Sequence, residues 1–312
     1  MQDLVILISC PIDARTGRSQ LEPGSLAQQV ADLCRRRGLR LVLAPDIHHL
    51  AEDSPAWKTL AGIPGPMAVL SGLHPRPAQW ILDRHGVRPG KLALFRLDAF
   101  TDAAACMAAI EEAFPAGAET ATAAQTSGMP ETGPEPELDP VVLDEPLVLR
   151  WYPVIDRSRC VDCKNCLQFC LFGVYGTDPE GRLAVKAPDH CKSGCPACSR
   201  ICPQGAILFP LYDKDPAIAG APGLIKTPDP AARKMFYERT GNTCPQCGRT
   251  GKGTSPPPAG GSRDLCKECG RPMPRGTQDP ARTEPSSAPP VQGGEDLDRL
   301  IVDLDDLMRR RN

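Results

Sequence analysis

The sequence lacks several features that would place it in a common functional class. No apolar run reaches the roughly 18 residues of a membrane-spanning helix, so we expect no membrane span. The 36 basic and 38 acidic residues nearly balance, so a nucleic-acid partner is not expected either. There is no G-x-G-x-x-G sequence after the first strand and no P-loop, so nucleotide binding lacks its usual sequence support.

The start of the chain also lacks the marks of a secretory signal. Residues 1–13, MQDLVILISCPID, contain no basic stretch and no small-residue cleavage site, so they predict a buried strand instead. Without such a signal, cysteines in C-x-x-C pairs indicate metal sites in a reducing compartment rather than disulfides. The 15 cysteines therefore favour a cytoplasmic, metal-binding protein.

Alternating strand and helix patterns predict a small α/β domain in residues 1–115. Each of four apolar runs is followed by a helical pattern; the runs are residues 4–9, 39–44, 67–71 and 92–97. Strands that are apolar on both faces and alternate with helices are typical of a parallel sheet covered by helices. A small flavodoxin-like or Rossmann-like sheet is the expected fold.

The rest of the chain divides into cysteine-rich modules, linkers and a tail. Residues 116–146 and 271–294 are rich in proline and small polar residues, so both are predicted to be disordered linkers. The tail at 295–311 is predicted as an amphipathic helix, with its apolar residues on one face. The segments between the linkers are a cysteine-rich module at 147–212, a connecting helix within 213–243 and a second cysteine-rich module at 244–270.

Eight cysteines in two compact runs carry the clearest chemical signal. The runs are Cys160-x2-Cys163-x2-Cys166-x3-Cys170 and Cys191-x3-Cys195-x2-Cys198-x3-Cys202, the second followed by proline. A [4Fe–4S] cube takes one thiolate per iron, and two-residue gaps let one tight loop supply three of them. Two structural zinc sites are the alternative, but zinc ribbons have separated cysteine pairs rather than interleaved runs. Over residues 150–212 the chain resembles the bacterial two-cluster [4Fe–4S] ferredoxins.

The resemblance implies an α+β ferredoxin-like fold in which each cluster takes its last ligand from the other run. One cluster would be held by Cys160, Cys163, Cys166 and Cys202, and the other by Cys170, Cys191, Cys195 and Cys198. Residues 154–156 and 205–207 match the short strands of that fold. The chain departs from the family pattern in having Leu171 after the first run and a three-residue gap after Cys191. If Cys191 did not bind, the second site would hold a three-iron cluster.

Two further C-x-x-C-G pairs predict a metal site near the C-terminus. Eighteen residues separate the pair Cys244 and Cys247 from the pair Cys266 and Cys269, which is a spacing typical of a zinc ribbon. Four thiolates complete a tetrahedral zinc site with no open position, so its role should be structural. Rubredoxin-type iron uses the same ligands and is the alternative.

Polar residues at the predicted carboxyl ends of the strands form another candidate site. Ligands of open parallel sheets bind at this edge, so Cys10 and His74 are candidate catalytic residues. The alternative is that these positions are ordinary polar loops and a buried thiol. The residues at these ends are Ser9, Cys10, Asp13, Asp46, His48, His49, Ser71, His74 and Asp98.

These patterns together favour an electron-transfer protein that serves protein redox partners within a larger redox assembly. Two alternatives stay open from the sequence. The chain could be an iron–sulfur oxidoreductase whose substrate binds in the α/β domain, or a redox-sensing regulatory or scaffold protein. The tail helix at 295–311 could dock into a groove on a partner or fold back on its own domains.

Overall fold

Two compact units make up the chain, Met1–Arg150 and Trp151–Asn312. The computed structural model describes residues 3–10, 21–115, 140–143, 148–246, 248 and 266. Each unit has its own buried core. None of the described helices combines the length and apolar character needed to cross a bilayer.

A five-stranded parallel sheet organises the first unit. The strands are β1 (Val5–Cys10), β2 (Arg40–Pro45), β3 (Met67–Ser71), β4 (Leu92–Arg96) and β5 (Val141–Val142), in the spatial order β4-β3-β1-β2-β5. The helices are α1 (Leu26–Arg36), α2 (Pro55–Ala61), α3 (Pro75–Arg84) and α4 (Ala103–Ala113). The prediction of an N-terminal α/β unit with parallel strands is confirmed.

The alternation of side chains along β1 explains why helices cover both faces of the sheet. Ile6 and Ile8 belong to the core formed with α1 and α4. The alternate residues Val5 and Leu7 point to the other face and are equally buried. Cys34 and Cys106 are fully buried in this core, as their apolar helix faces predict. Burial raises the pKa of the Cys34 thiol to about 12 and that of Cys106 to about 11, so both stay neutral.

The edge strand β5 lies inside the segment predicted to be a linker. Val142 pairs with Leu43 of β2, and both valines of β5 are about half exposed. An edge strand of two residues buries little apolar surface. It therefore leaves no recognisable apolar run among the prolines and polar residues nearby. Residues 116–139 and 144–147 of the predicted linker lie outside the described residues.

The second unit is built from short elements around its cysteines. Its strands are β6 (Val154–Ile155), β7 (Tyr175–Thr177), β8 (Leu183–Val185) and β9 (Ile207–Leu208), with β6 antiparallel to β9 and β7 antiparallel to β8. Its helices are α5 (Asn165–Phe169), α6 (Ala197–Ile201), α7 (Pro216–Ala219) and α8 (Pro230–Thr240). The flanking strands predicted at 154–156 and 205–207 are observed at Val154–Ile155 and Ile207–Leu208, and they pair with each other.

A glycine between α6 and β9 offers a test of how tightly this unit is built. Gly205 has a φ of +57°, and an added Cβ would lie 2.5 Å from the Lys226 carbonyl oxygen. Gly173 has a similar φ of +67° but open space around it. We expect Gly205→Ala to destabilise the unit by about 1–3 kcal/mol from backbone strain alone, with the clash adding to this.

Thermal unfolding of both alanine variants, followed by circular dichroism, checks this expectation. Gly173→Ala carries the strain of the left-handed backbone without the steric contact, so it should melt above Gly205→Ala. Equal melting temperatures for the two variants would show that the backbone near Lys226 moves aside at no cost.

Candidate metal centre

Four cysteines from both runs surround one pocket of the second unit. Cys160 and Cys163 lie in the loop that leads into α5, Cys166 lies in its first turn, and Cys202 follows the last residue of α6. The pocket measures about 310 Å³, counting its part open to solvent, and Leu183, Ala206 and Ile207 are among its apolar lining. The arrangement brings three thiols of the first run and one of the second to a single space; these four are named the first group.

The loop of the first group turns tightly because two of its residues adopt left-handed backbone. Asp162 and Lys164 have φ values of +51° and +56°, which is uncommon for residues other than glycine. The Asp162 carboxylate accepts a hydrogen bond of 2.7 Å from the Leu183 amide, which ties the loop to β8. At the other side of the pocket the Ala206 amide donates to Cys202 Sγ at 3.3 Å. Such strain and amide–sulfur contacts are typical of functional sites.

The same four thiols also interact electrostatically. Burial is the main cause of the raised pKa of Cys166, and the negative charges of Cys202, Cys163 and Cys160 raise it further. Burial is also the main cause of the raised pKa of Cys160, to which Cys202 adds. The thiols are therefore near enough to repel one another when ionised, and binding of a positively charged metal centre would relieve that repulsion.

The other four cysteines are named the second group; they are Cys170, Cys191, Cys195 and Cys198. Burial raises the pKa of Cys191, and the charges of Cys195 and Cys170 raise it further. Burial also raises the pKa of Cys198, and the charges of Cys195 and Cys191 raise it further. The charge of Cys166, a member of the first group, also raises the pKa of Cys198, so the thiols of the two groups interact with each other as well.

A buried tyrosine lies between the two groups. The Tyr175 hydroxyl donates a hydrogen bond of 3.1 Å to Cys198 Sγ. Burial, followed by the charges of Cys198 and Cys166, raises the Tyr175 pKa well above its ordinary value, so the hydroxyl keeps its proton. Cys166 belongs to the first group and Cys198 to the second. No spacing motif marks Tyr175 in the sequence; a lone tyrosine five residues after a cysteine run carries no such signal.

The C-x-x-C-G pairs are represented by one cysteine each among the described residues. Cys244 Sγ and Cys266 Sγ lie 3.8 Å apart, and both side chains are buried against Phe236 and Tyr237. Zinc–sulfur bonds of about 2.3 Å place the sulfurs of a tetrahedral site about 3.8 Å apart, so this pair fits zinc. Gly248 has a φ of +66° and donates to the Cys244 carbonyl, as a metal knuckle requires. Cys247 and Cys269 lie outside the described residues.

The polar residues at the carboxyl end of β2 are used in hydrogen bonds of the fold. Ser9 Oγ accepts from the Ile47 amide at 3.0 Å, and the Asp46 carboxylate accepts from the His48 amide at 2.9 Å. His49 Nδ1 accepts from the Arg150 amide at 3.0 Å. Burial raises the pKa of Asp46 to about 6. These contacts stabilise the turn after β2.

The remaining candidates of the first unit lie after β1, β3 and β4. His74 lies within 2.8 Å of an Arg96 guanidinium nitrogen, and Arg96 also donates to Asp98 at 2.6 Å. The Ser71 hydroxyl accepts from the Leu73 amide. The side chain of Cys10, and all of Asp13, lie outside the described residues. A shared site for Cys10 and His74 therefore stays a prediction.

Comparison with known proteins identifies the cysteine-rich part of the second unit. Residues 152–218 match the family described as a 4Fe-4S dicluster domain. The chain is 44% identical over 63 residues to an uncharacterized ferredoxin of Methanocaldococcus jannaschii, which covers 20% of this chain and 42% of that protein. It is 40% identical over 55 residues to the pyruvate synthase subunit PorD of the same organism, covering 18% of this chain and 62% of PorD.

A third relative is the thiosulfate reductase electron transfer subunit PhsB of Salmonella typhi, with 34% identity over 65 residues, or 19% of this chain and 34% of PhsB. The chain spans less than two thirds of the length of each of these three relatives. No solved structure matches the chain. The prediction of a ferredoxin-type 4Fe–4S domain is confirmed for residues 152–218.

Proposed function

We propose that the protein is an electron carrier with two [4Fe–4S] clusters and a component of a larger cytoplasmic redox assembly. The observation that carries the proposal is the pocket that four cysteines from both runs surround inside a dicluster domain. These four would be one of the crossed ligand sets expected from the sequence, and the second group would be the other. Two relatives are named as subunits of pyruvate synthase and thiosulfate reductase, which supports a role beside protein redox partners.

The residues around the groups are suited to holding cofactors that accept and release single electrons. Cys166, Cys198 and Cys202 lie in an apolar core with Ile155, Val174 and Phe209, which keeps water from their sulfurs. The crossing cysteines tie the two groups together, and Cys166 and Cys198 interact electrostatically. Because cysteines of both groups lie in this one core, electrons could pass from one cluster to the other within it.

An exposed edge of the first group is the proposed contact for a redox partner. Cys163 is exposed, and Val161 between it and Cys160 is 61% exposed. An apolar side chain beside a cluster lets a partner approach closely and exclude water from the path of the electron. The tail at 295–311, outside the described residues, stays a proposed docking helix, which a pull-down with and without it would test.

Anaerobic reduction tests the carrier function. The purified full chain should take up two electrons in a stoichiometric dithionite titration and return them to an added one-electron acceptor. An uptake of one electron would indicate a single redox-active cluster. If a preparation that contains iron takes up no electrons, the carrier proposal is wrong.

We also propose that Cys244, Cys247, Cys266 and Cys269 bind one structural zinc ion. The 3.8 Å distance between Cys244 Sγ and Cys266 Sγ supports this, because it equals the edge of a tetrahedral zinc–thiolate site. The site would pin the chain after α8 against Phe236 and Tyr237. Rubredoxin-type iron has the same ligands and is distinguished by metal analysis.

Removing the Tyr175 hydroxyl should lower one reduction potential. Its hydrogen bond to Cys198 stabilises the added negative charge of a reduced cluster in the second group. We expect Tyr175→Phe to shift that potential to a more negative value and to leave the potential of the first group unchanged. Protein-film voltammetry measures both, with full iron content as the control. Unchanged potentials in an iron-replete variant would contradict the expected role of the hydroxyl.

A further inference from the structure

Helix α8 lies beyond the matched domain, and two of its arginines reach the ends of α5 and α6. Arg233 Nη1 donates a hydrogen bond of 2.8 Å to the carbonyl oxygen of Ile201, the last residue of α6. Arg239 Nη2 donates to the carbonyl oxygen of Phe169, the last residue of α5. Cations are favourable at helix C-termini, where carbonyl groups lack helical partners. Helix α8 therefore caps both α5 and α6, and each of these helices is followed directly by a cysteine.

The two capped residues stand directly before the crossing cysteines. Ile201 precedes Cys202, the member of the first group that comes from the second run. Phe169 precedes Cys170, the member of the second group that comes from the first run. Each arginine thus holds the peptide unit that delivers the last thiol of one group.

Both guanidinium groups are held in fixed positions. Arg233 is 1% exposed; it donates to the Tyr237 hydroxyl at 2.5 Å and lies 5.0 Å from the centre of that ring. Arg239 lies 4.5 Å from the centre of the Phe169 ring. Both rings are themselves packed against Phe236. Because these contacts hold the two guanidinium groups in place, each positive charge stays beside the cysteine that follows the capped helix.

Each arginine lies near the thiols of a different group. Arg233 binds the carbonyl group next to Cys202 of the first group, and Arg239 binds the carbonyl group next to Cys170 of the second group. Arg233 is thus the cation of the first group, and Arg239 that of the second.

We propose that α8 is an electrostatic clamp in which Arg233 raises the reduction potential of the first cluster and Arg239 that of the second. The inference rests on the proposed function, because it needs clusters at both groups. A reduced cluster carries one more negative charge than an oxidised one, so a fixed cation beside it favours reduction. The clamp would let sequence changes in α8 adjust the two potentials separately.

Redox titration of the full chain, followed by EPR, tests the clamp. Arg233→Gln should move one of the two potentials to a more negative value, and Arg239→Gln should move the other. Arg233→Lys and Arg239→Lys keep the charge but cannot reproduce the guanidinium contacts. Their reduction potentials should stay close to the native values. A purely structural cap predicts the reverse: glutamine and lysine variants would behave alike.

The matched control is Lys234→Gln, which removes one positive charge from the exposed side of the same helix. Lys234 pairs with Glu238 at 3.9 Å and is more than half exposed, so solvent screens its charge. It should shift neither potential. If Arg233→Gln fails to keep its iron, the Arg239 variants decide, since Arg239 is only partly buried.

The outcomes separate the clamp from the carrier function. Iron-replete glutamine variants with native potentials, or with shifts no larger than that of Lys234→Gln, would overturn the clamp and leave the carrier function intact. A native chain without iron would overturn the carrier function itself.

Discussion

Replacing Cys202 by alanine is expected to halve the iron content of the protein, from about eight atoms per chain to about four. Cys202 shares a pocket with Cys160, Cys163 and Cys166, so its loss should release the cluster of the first group. Cys170→Ala should release the cluster of the second group in the same way. Iron and sulfide analysis of anaerobically purified variants measures both losses.

Double substitutions distinguish crossed ligand sets from uncrossed ones. With crossed sets, Cys160→Ala adds nothing to Cys202→Ala, because both residues serve one cluster, and about four irons remain. Cys160→Ala combined with Cys170→Ala should remove both clusters. Uncrossed sets predict the opposite result for each pair. Cys34→Ala, which deletes a buried thiol of the α/β unit, is the control and should keep all the iron.

The second large effect is expected from Cys266→Ser, which should remove zinc and leave the iron in place. Structural zinc contributes about 10–16 kcal/mol to the folding of zinc-finger peptides, so the close approach of residue 266 to Cys244 should be lost. Cys266 is buried with Phe236 and Ile201, so α8 should pack less firmly once the metal is gone. Metal analysis measures the first effect, and hydrogen exchange of the α8 amides measures the second.

The native chain and Cys34→Ala are the references for this experiment, and both should contain about one zinc per chain. Iron instead of zinc at the site would support a rubredoxin-type centre with the same four ligands. Full zinc content and unchanged exchange in Cys266→Ser would contradict a role for this thiol in binding metal.

The sequence predicts the first unit well where apolar runs are long. Strand β3 is predicted at Met67–Ser71 and observed there, because all five of its residues are buried and the run has no polar interruption. The sequence predicts a helix at residues 25–37, ended by Gly38, and α1 is observed at Leu26–Arg36 with Ser25 as its N-cap. Strong periodicity and clear end signals explain both results.

Short elements of the first unit are not predictable in this way. Helix α2 has only seven residues, and its start depends on the Ser54 cap and on proline at its first position rather than on a long apolar pattern. Strand β5 has two residues, and it exists because β2 offers an open edge. Tertiary pairing of this kind leaves no local pattern.

Some residues of the candidate site can likewise be predicted from local sequence patterns, and others cannot. Cysteine spacing identifies the eight sulfurs, since each gap has a local geometric reason. It does not identify Tyr175, Arg233 or Arg239, which reach the sulfurs or their helices only through the fold. The polar strand ends that suggested a second site prove to include Ser9 and Asp46, whose hydrogen bonds serve the turn after β2.

Iron and sulfide analysis of the native chain, purified and kept without air, tests the central claim most directly. Two [4Fe–4S] clusters predict about eight irons and eight acid-labile sulfides per chain, with an EPR signal of interacting reduced clusters after treatment with dithionite. A colourless preparation, free of iron and sulfide although its second unit is folded, would contradict the claim.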